Sequence, residues 1–215
     1  MGRVTKPTAI GTLHKAYRKF GKQVAETCNA EAAFIFRFHK SSLPPHNVTY
    51  TEDEVVHQTK VLCRDFIYFK LKENSLLDFK LKSGKTPTDN NNGASLKNNT
   101  PTDVSKEIIS IATTFEEAYP HLFEDIGTYL KMTYQTANHV QHTYNVAATE
   151  IFNGAITWAR IIALFSFTGA LTVDCVKHGY GKFANLIVEC MQKFVRKRLA
   201  TWIVSAGGWV RILYF

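Results

Sequence analysis

Thirteen residues, Ile161 to Val173, lie between Arg160 and Asp174, and only Ser166, Thr168, Gly169 and Thr172 interrupt their apolar character. A helix apolar on nearly every face belongs inside a protein or inside a membrane. Crossing a bilayer takes about 20 apolar residues, so the run predicts a core helix wrapped by amphipathic ones. Phe183 to Leu199 supplies a companion. Phe183, Leu186, Ile187, Cys190, Met191, Phe194, Val195 and Leu199 give it one apolar side.

The rest of the chain reads as helix and loop in three zones. The first, Met1 to about Tyr50, ends in the breaker Leu43-Pro44-Pro45-His46-Asn47. It holds a short apolar run, Ala32 to Phe36, of undefined register. The second zone is a helix over Glu52–Lys72. Thr51-Glu52-Asp53-Glu54 has the form of a capping box, and Val55, Val56, Leu62, Cys63, Phe66 and Phe69 fall largely on one face. Residues 83–103, rich in Asn, Thr, Lys, Ser, Gly and Pro, bury too little apolar surface to offset their ordering entropy and read as a mobile loop. The third zone, from Val104, is helical throughout. Pro120 interrupts it, Phe123, Ile126 and Leu130 suggest a further turn, and Val140 to Ile151 forms another helix. Asn153-Gly154, Gly179, Gly181 and Gly207-Gly208 punctuate the remainder. The expected organisation is a basic N-terminal segment, 1–50, ahead of an all-α domain, 51–215.

Charge and cysteine chemistry narrow the function. The net charge of +8 favours anionic partners, nucleic acid or acidic lipid. Arg3, Lys6, Lys15, Arg18, Lys19 and Lys22 all precede the first acid, Glu26, so the N-terminus reads as a mitochondrial presequence or as a basic amphipathic helix. Lys193, Arg196, Lys197 and Arg198 form a second cluster, and a solvated helix face is the commoner meaning of such a run. Cys28, Cys63, Cys175 and Cys190 contain no C-x-x-C pair and read as small buried hydrophobes. With no secretory signal ahead of them, the sequons at Asn47 and Asn98 are chance matches. His139 and His142 lack a third metal ligand. No phosphate loop, nucleophile elbow or H-E-x-x-H occurs, so nothing points to an enzyme or to a cofactor.

Thr157 can cap the buried helix, Trp158 supplies apolar area, and Arg160 sits one turn in. A guanidinium is costly to bury without an anion. Arg160 must therefore reach solvent, an internal carboxylate or a partner's carboxylate, and the internal one is the commoner solution.

These residues resemble the Bcl-2 family. Thr157-Trp158-Ala159-Arg160 followed by Phe165-Ser166-Phe167-Thr168-Gly169 is similar to its first homology motif, usually N-W-G-R. Thr201-Trp202-Ile203 with Gly207-Gly208-Trp209 is similar to the second. Val173 to Val176, Phe194 to Trp202, and Thr51 to Leu71 resemble the family's Bok branch. The resemblance implies a bundle of about eight helices around a buried hairpin. It also implies a groove that receives the amphipathic death-motif (homology-three) helix of a partner, anchored at i, i+3/i+4 and i+7. Arg160 matches the arginine that pairs with the partner's Asp, which brings the external partner to the fore. Thr157, Trp158 and Ala159 flank it. Phe115, Phe123 and Phe167 are groove candidates, with plain core packing as the competing reading.

Two departures stand out. Ala159 replaces the usual Gly, and its methyl can crowd a ligand helix. The chain's own death-motif segment, around Ile108 and Phe115, has Ala112-Thr113 in place of Gly-Asp and cannot offer the charge a partner's arginine would meet. The resemblance further implies a cytoplasmic protein that associates with the mitochondrial outer membrane and the ER. Its expected partners are death-motif helices, other family members, membrane lipids and its own copies on membranes. A killer that permeabilises the outer mitochondrial membrane is favoured over a protector that sequesters death-motif helices. A basic helical nucleic-acid binder is the competing class from charge alone, and the family reading expects no nucleic acid. The C-terminal segment Trp209 to Phe215 contains no membrane-spanning run.

Overall fold

The structure is a computed structural model that describes residues 9–30, 49–76, 101–124, 126–127 and 136–214. Its α-helices are α1 (Ala9–Ala30), α2 (Glu52–Glu73), α3 (Pro101–Ala118), α4 (Ala137–Ile151), α5 (Trp158–Lys177), α6 (Ala184–Arg198) and α7 (Ala200–Ser205). Short 3₁₀ segments occupy Pro120–Leu122, Gly181–Phe183 and Trp209–Tyr214. No strand occurs among the described residues. The all-α bundle around a central hairpin is as expected.

Helix α5 is the axis, touched by α1, α2, α3, α4 and α6. The apolar run is extended at both ends into a 20-residue helix. By length and composition this helix could cross a membrane, which corrects the thirteen-residue estimate. Here it serves as the core, with Ile161 to Phe165, Phe167 and Leu171 all at 0% exposure. Its hydroxyls are satisfied one turn back, Thr168 donating to the Leu164 carbonyl at 2.6 Å and Thr172 to the Thr168 carbonyl at 2.8 Å. Gly169 lets α2 approach closely, because a Cβ there would lie 2.7 Å from Phe66 Cε1. The helix ends in a Schellman turn. Tyr180 N–H reaches the Cys175 carbonyl, Gly179 N–H reaches that of Val176, and Gly179 takes φ +81°.

Helix α2 starts as the sequence predicts. Thr51 Oγ1 accepts from Glu54 N, and the Glu54 carboxylate accepts from Thr51 N at 2.7 Å. Phe69, assigned to its inner face, is only half-buried, while Ile67 and Leu71 are in the core. Residues 101–103, placed at the end of the mobile loop, instead open α3. The remainder of that loop, the Ala32–Phe36 run and Leu130 lie outside the described residues. All four cysteines are free and buried. Among the described residues no three His, Cys, Asp or Glu side chains could hold a metal together, and His139 and His142 are exposed.

The first fifty residues contribute α1. Tyr17, Phe20, Val24, Ala25 and Cys28 form its buried face, and Lys15, Arg18, Lys19, Lys22 and Glu26 its exposed one. Of the two N-terminal readings, this is the amphipathic helix. It packs chiefly on α4 and also touches α5 and the Pro120–Leu122 turn. The bundle core therefore runs across residue 50.

Candidate functional site

The site is built around the first turn of α5. Thr157 is extended (φ −140°, ψ 157°) and its hydroxyl accepts from Arg160 N at 3.3 Å, which makes it the N-cap. Gly154 takes φ +119°, a conformation suited to glycine, and so brings residues 153–155 under the arginine. A Cβ on Gly154 would lie 3.3 Å from Arg160 Nη1.

Arg160 is 2% exposed. Its Nη1 donates to the Ala155 carbonyl at 2.7 Å and to the Asn153 carbonyl at 3.3 Å, and its Nη2 donates to Asn29 Oδ1 at 2.9 Å. Of the expectations for Arg160, solvent and an internal carboxylate are corrected here among the described residues. The guanidinium is buried against two carbonyls and a side-chain amide, all neutral, and Nε has no partner. Three dipoles accept from its two terminal nitrogens, but its charge meets no carboxylate among the described residues.

Running from Arg160 along α5, the site's floor is aromatic. Phe167 lies against Tyr144 of α4 (5.4 Å between ring centroids) and against Phe20 of α1 (5.3 Å). Tyr144 is fixed by a hydrogen bond between its hydroxyl and Thr168 Oγ1 at 2.9 Å. Gly21 lets α1 lie directly on α4, where a Cβ would meet Glu150 Cβ at 2.5 Å and the Ala147 carbonyl at 2.6 Å. Arg18 pairs with Glu150 at 3.2 Å, and the rings of His14 and Tyr17 face His142. Burial pushes the Cys28 thiol up to about 12, with the nearby Arg160 charge opposing the rise.

The other candidates are spread through the bundle, with Phe167 fully buried between Tyr144 and Phe20. Phe115 and Phe123 meet in a tilted ring contact at 5.7 Å, and Phe115 also meets Tyr119 at 5.2 Å. This cluster packs where α3 runs into the Pro120–Leu122 turn. Ile108 and Ala112 are fully buried. Thr113 is half-buried and lines a separate cavity of about 580 Å³ between α2, α3 and the C-terminal half of α5, together with Lys70, Glu116 and Asp174. Burial raises Glu116 against the opposing pull of Lys70, which donates to it at 2.7 Å. Ala159 is 9% exposed and Trp158 3%.

The second motif closes onto the first. Trp158 packs on Trp202 (5.3 Å) and Trp209 (6.0 Å), and Trp209 Nε1 donates to the Val55 carbonyl at 3.0 Å. Gly207 and Gly208 take φ +100° and +76°, and Gly208 leaves no room for a Cβ beside the Tyr50 ring. Of the basic cluster on α6, Arg196 pairs with Asp53 and Lys193 with Glu189, as on a solvated face. Sequence reasoning missed Phe20, Gly21, Asn29 and Tyr144. The available signal was the spacing of Tyr17, Phe20, Val24 and Cys28, one helical face inside a stretch read only for its charge.

Comparisons with known proteins agree with this geometry. Residues 108–209 match the family model described as apoptosis regulator proteins, Bcl-2 family. The chain is 31% identical over 173 residues to Bcl-2-related ovarian killer protein homolog A of Danio rerio, covering 75% of this chain and 73% of that protein. It is 28% identical to Bcl-2-related ovarian killer protein of Gallus gallus, covering 75% and 72%. The crystal structure of chicken BOK superposes with a TM-score of 0.64 at 29% identity, over 76% of this chain and 97% of that one. The fold is also that of Trichoplax adhaerens trBcl-2L2, a structure bound to trBak BH3, with a TM-score of 0.60 at 20% identity over 74% and 96%. Two motifs packed together through three tryptophans, a buried arginine at the head of the core helix and these matches lead to one conclusion: the chain belongs to the Bcl-2 family of apoptosis regulators, is of the Bok type, and is a regulator rather than an enzyme.

Proposed function

We propose that this protein promotes apoptosis by receiving a partner's death-motif helix in the trough between α4 and the Pro120–Leu122 turn, over α5. Arg160 pairs there with the partner's aspartate. The observation that carries the reading is Arg160 itself, buried at the foot of an aromatic floor with only neutral acceptors around its charge. A carboxylate would replace a neutral bond by a charge-assisted one, roughly twice as strong. The trBak BH3 bound in the trBcl-2L2 structure, which shares this fold, is in keeping with a ligand of that kind here.

The killing step is assigned to the α5–α6 hairpin at the outer mitochondrial membrane. The hydroxyls of Thr168 and Thr172 hydrogen-bond within their own helix, so α5 can leave the bundle without orphaning them. Arg160 flanks the apolar run, and its long side chain can snorkel toward an interface. Helix α6, apolar on one side with Lys193, Arg196, Lys197 and Arg198 exposed, suits the membrane surface, its basic side toward anionic headgroups.

The test is cytochrome c release from mitochondria lacking other multidomain family members, with the full chain recruited by an added C-terminal tether. Release by the chain alone supports the killer. Suppression of release by an activated effector would instead identify a protector working through the same trough, and loss of that effect in Arg160→Ala would place it there.

A further inference from the structure

We infer that helix α1 is an intramolecular occupant of the partner groove, so a death-motif helix binds only by displacing it. This rests on the groove reading above and adds a regulatory element that reading does not contain. Three observations converge. Helix α1 is seated on α4, α5 and the Pro120–Leu122 turn, the three elements that form the trough. Its buried residues Tyr17, Phe20, Val24 and Cys28 recur at i, i+3, i+7 and i+11, the pattern by which an amphipathic helix is held in a groove. Its last turn delivers Asn29 to Arg160 Nη2, the guanidinium nitrogen a partner's aspartate would seek.

The contact is close yet replaceable. Gly21 sits against the backbone of Ala147 with no space for a methyl group, as expected of a fitted interface. Attachment to the bundle keeps the helix at an effective concentration of about millimolar. Against this, Asn29 offers Arg160 a neutral acceptor and is itself exposed, so a competing carboxylate can approach from solvent. Gly21 also weakens α1 as a helix relative to alanine. The closed state is thus well packed at its middle and weakly fastened at Arg160. A partner's apparent affinity is reduced by the fraction of molecules that are closed.

Two substitutions move this equilibrium in opposite directions. Gly21→Ala favours an isolated helix but places a Cβ 2.5–2.6 Å from α4 atoms, so it should open the groove. Asn29→Asp should fasten α1 to Arg160. The probe is a labelled synthetic amphipathic peptide with apolar anchors at i, i+4 and i+7 and an aspartate placed for Arg160, titrated into the full chain by fluorescence anisotropy. Gly21→Ala should bind roughly tenfold or more tighter than the unmodified chain, and Asn29→Asp weaker.

A second readout needs no substitution. Cys28 is buried by α1 docking, whereas Cys63, Cys175 and Cys190 lie on α2, α5 and α6. Saturating peptide should therefore make Cys28 alone reactive to iodoacetamide, as located by mass spectrometry. If the peptide binds all three chains equally and Cys28 stays protected, α1 does not occupy the groove and the inference fails while the groove reading survives. If no chain binds the peptide, and Cys28 is protected with or without it, the groove reading fails and takes this inference with it.

Discussion

Replacing Arg160 by methionine separates a recognition residue from a structural one. The thioether keeps much of the side chain's length and removes the charge. The folded protein loses three hydrogen bonds, two of them short, at 2.7 and 2.9 Å. Bonds to a charged group are each worth about 1.5–3 kcal/mol. Against that loss stands the desolvation of a cation that is 2% exposed, a penalty of several kcal/mol. The partners left behind, at Asn29, Asn153 and Ala155, belong to exposed residues that water can reach. These opposing effects should leave the stability within about 2 kcal/mol of the unmodified chain. Urea unfolding followed by tryptophan fluorescence measures this directly, because Trp158, Trp202 and Trp209 cluster beside the substitution. Peptide binding behaves differently. Loss of the pair between Arg160 and the ligand's aspartate removes about 1.5–3 kcal/mol, roughly 10- to 150-fold in Kd. The same substitution frees Asn29 and loosens α1, which partly masks the loss. The comparison is therefore made in the Gly21→Ala background, where α1 is already displaced. A large loss of affinity with little loss of stability is expected. A stability loss of about 4 kcal/mol or more, with affinity unchanged among the molecules still folded, would refute the assignment and make Arg160 a structural clasp.

Gly169→Ala should destabilise the fold by about 1–2 kcal/mol, since the overpacking of Phe66 Cε1 at 2.7 Å exceeds the helix-propensity gain; thermal unfolding should show a Tm lower by about 2–8 °C. Tyr144→Phe keeps the ring stack on Phe167 and loses the bond to Thr168, so urea denaturation should report about 0.5–1.5 kcal/mol less stability. Glu54→Gln tests the start of α2. Hydrogen bonds from the Thr51 backbone and side chain hold the Glu54 carboxyl below its ordinary range, so its contribution is present above the unfolded value and disappears as pH falls through the folded one. Denaturation midpoints of the two chains should differ at neutral pH and converge in acid. A difference that persists unchanged at low pH would show that Glu54's charge is not what matters.

Much of this architecture is visible in the residues because local and global demands coincide there. Thr51 and Thr157 cap the helices they precede, Gly154 and Gly207-Gly208 turn the chain where periodicity breaks, and an apolar run between Arg160 and Asp174 has few places to go except the core. Arg160 could be singled out because a charge at the edge of such a run is conspicuous. Its partners could not. Asn29 is 131 positions away in sequence, and a neutral amide carries no complementary charge to announce the pairing. Helix α1 was obscured for a related reason. Its lysines and arginines all precede the first acid and read as charge, while its apolar face, Tyr17, Phe20, Val24, Ala25 and Cys28, mixes residue types too much to stand out. Phe167 is a groove candidate by resemblance, and its contact with Phe20 depends on a helix the resemblance did not cover.

The arrangement connects three tasks through one helix. Helix α5 supplies the hydrophobic core, presents Arg160 at its first turn, and is long and apolar enough to cross a membrane. Occupancy of the trough is therefore felt by the same element that would have to leave the bundle. With α1 docked, Phe20 covers Phe167 and Asn29 holds Arg160, so α5 is braced along its outer face. A partner helix that displaces α1 substitutes its own contacts on that face, and the gain at Arg160 is the part of the exchange that favours it. Whether the exchange leads onward depends on the other brace, the close packing of Gly169 against Phe66 and of Trp158 against Trp209. Those contacts lie outside the trough and are untouched by the ligand. Groove binding alone thus leaves α5 held by α2 and the C-terminal turn. On the proposed killing step, release of the hairpin would require a second contribution, and the exposed basic face of α6 is where an anionic membrane surface would supply it.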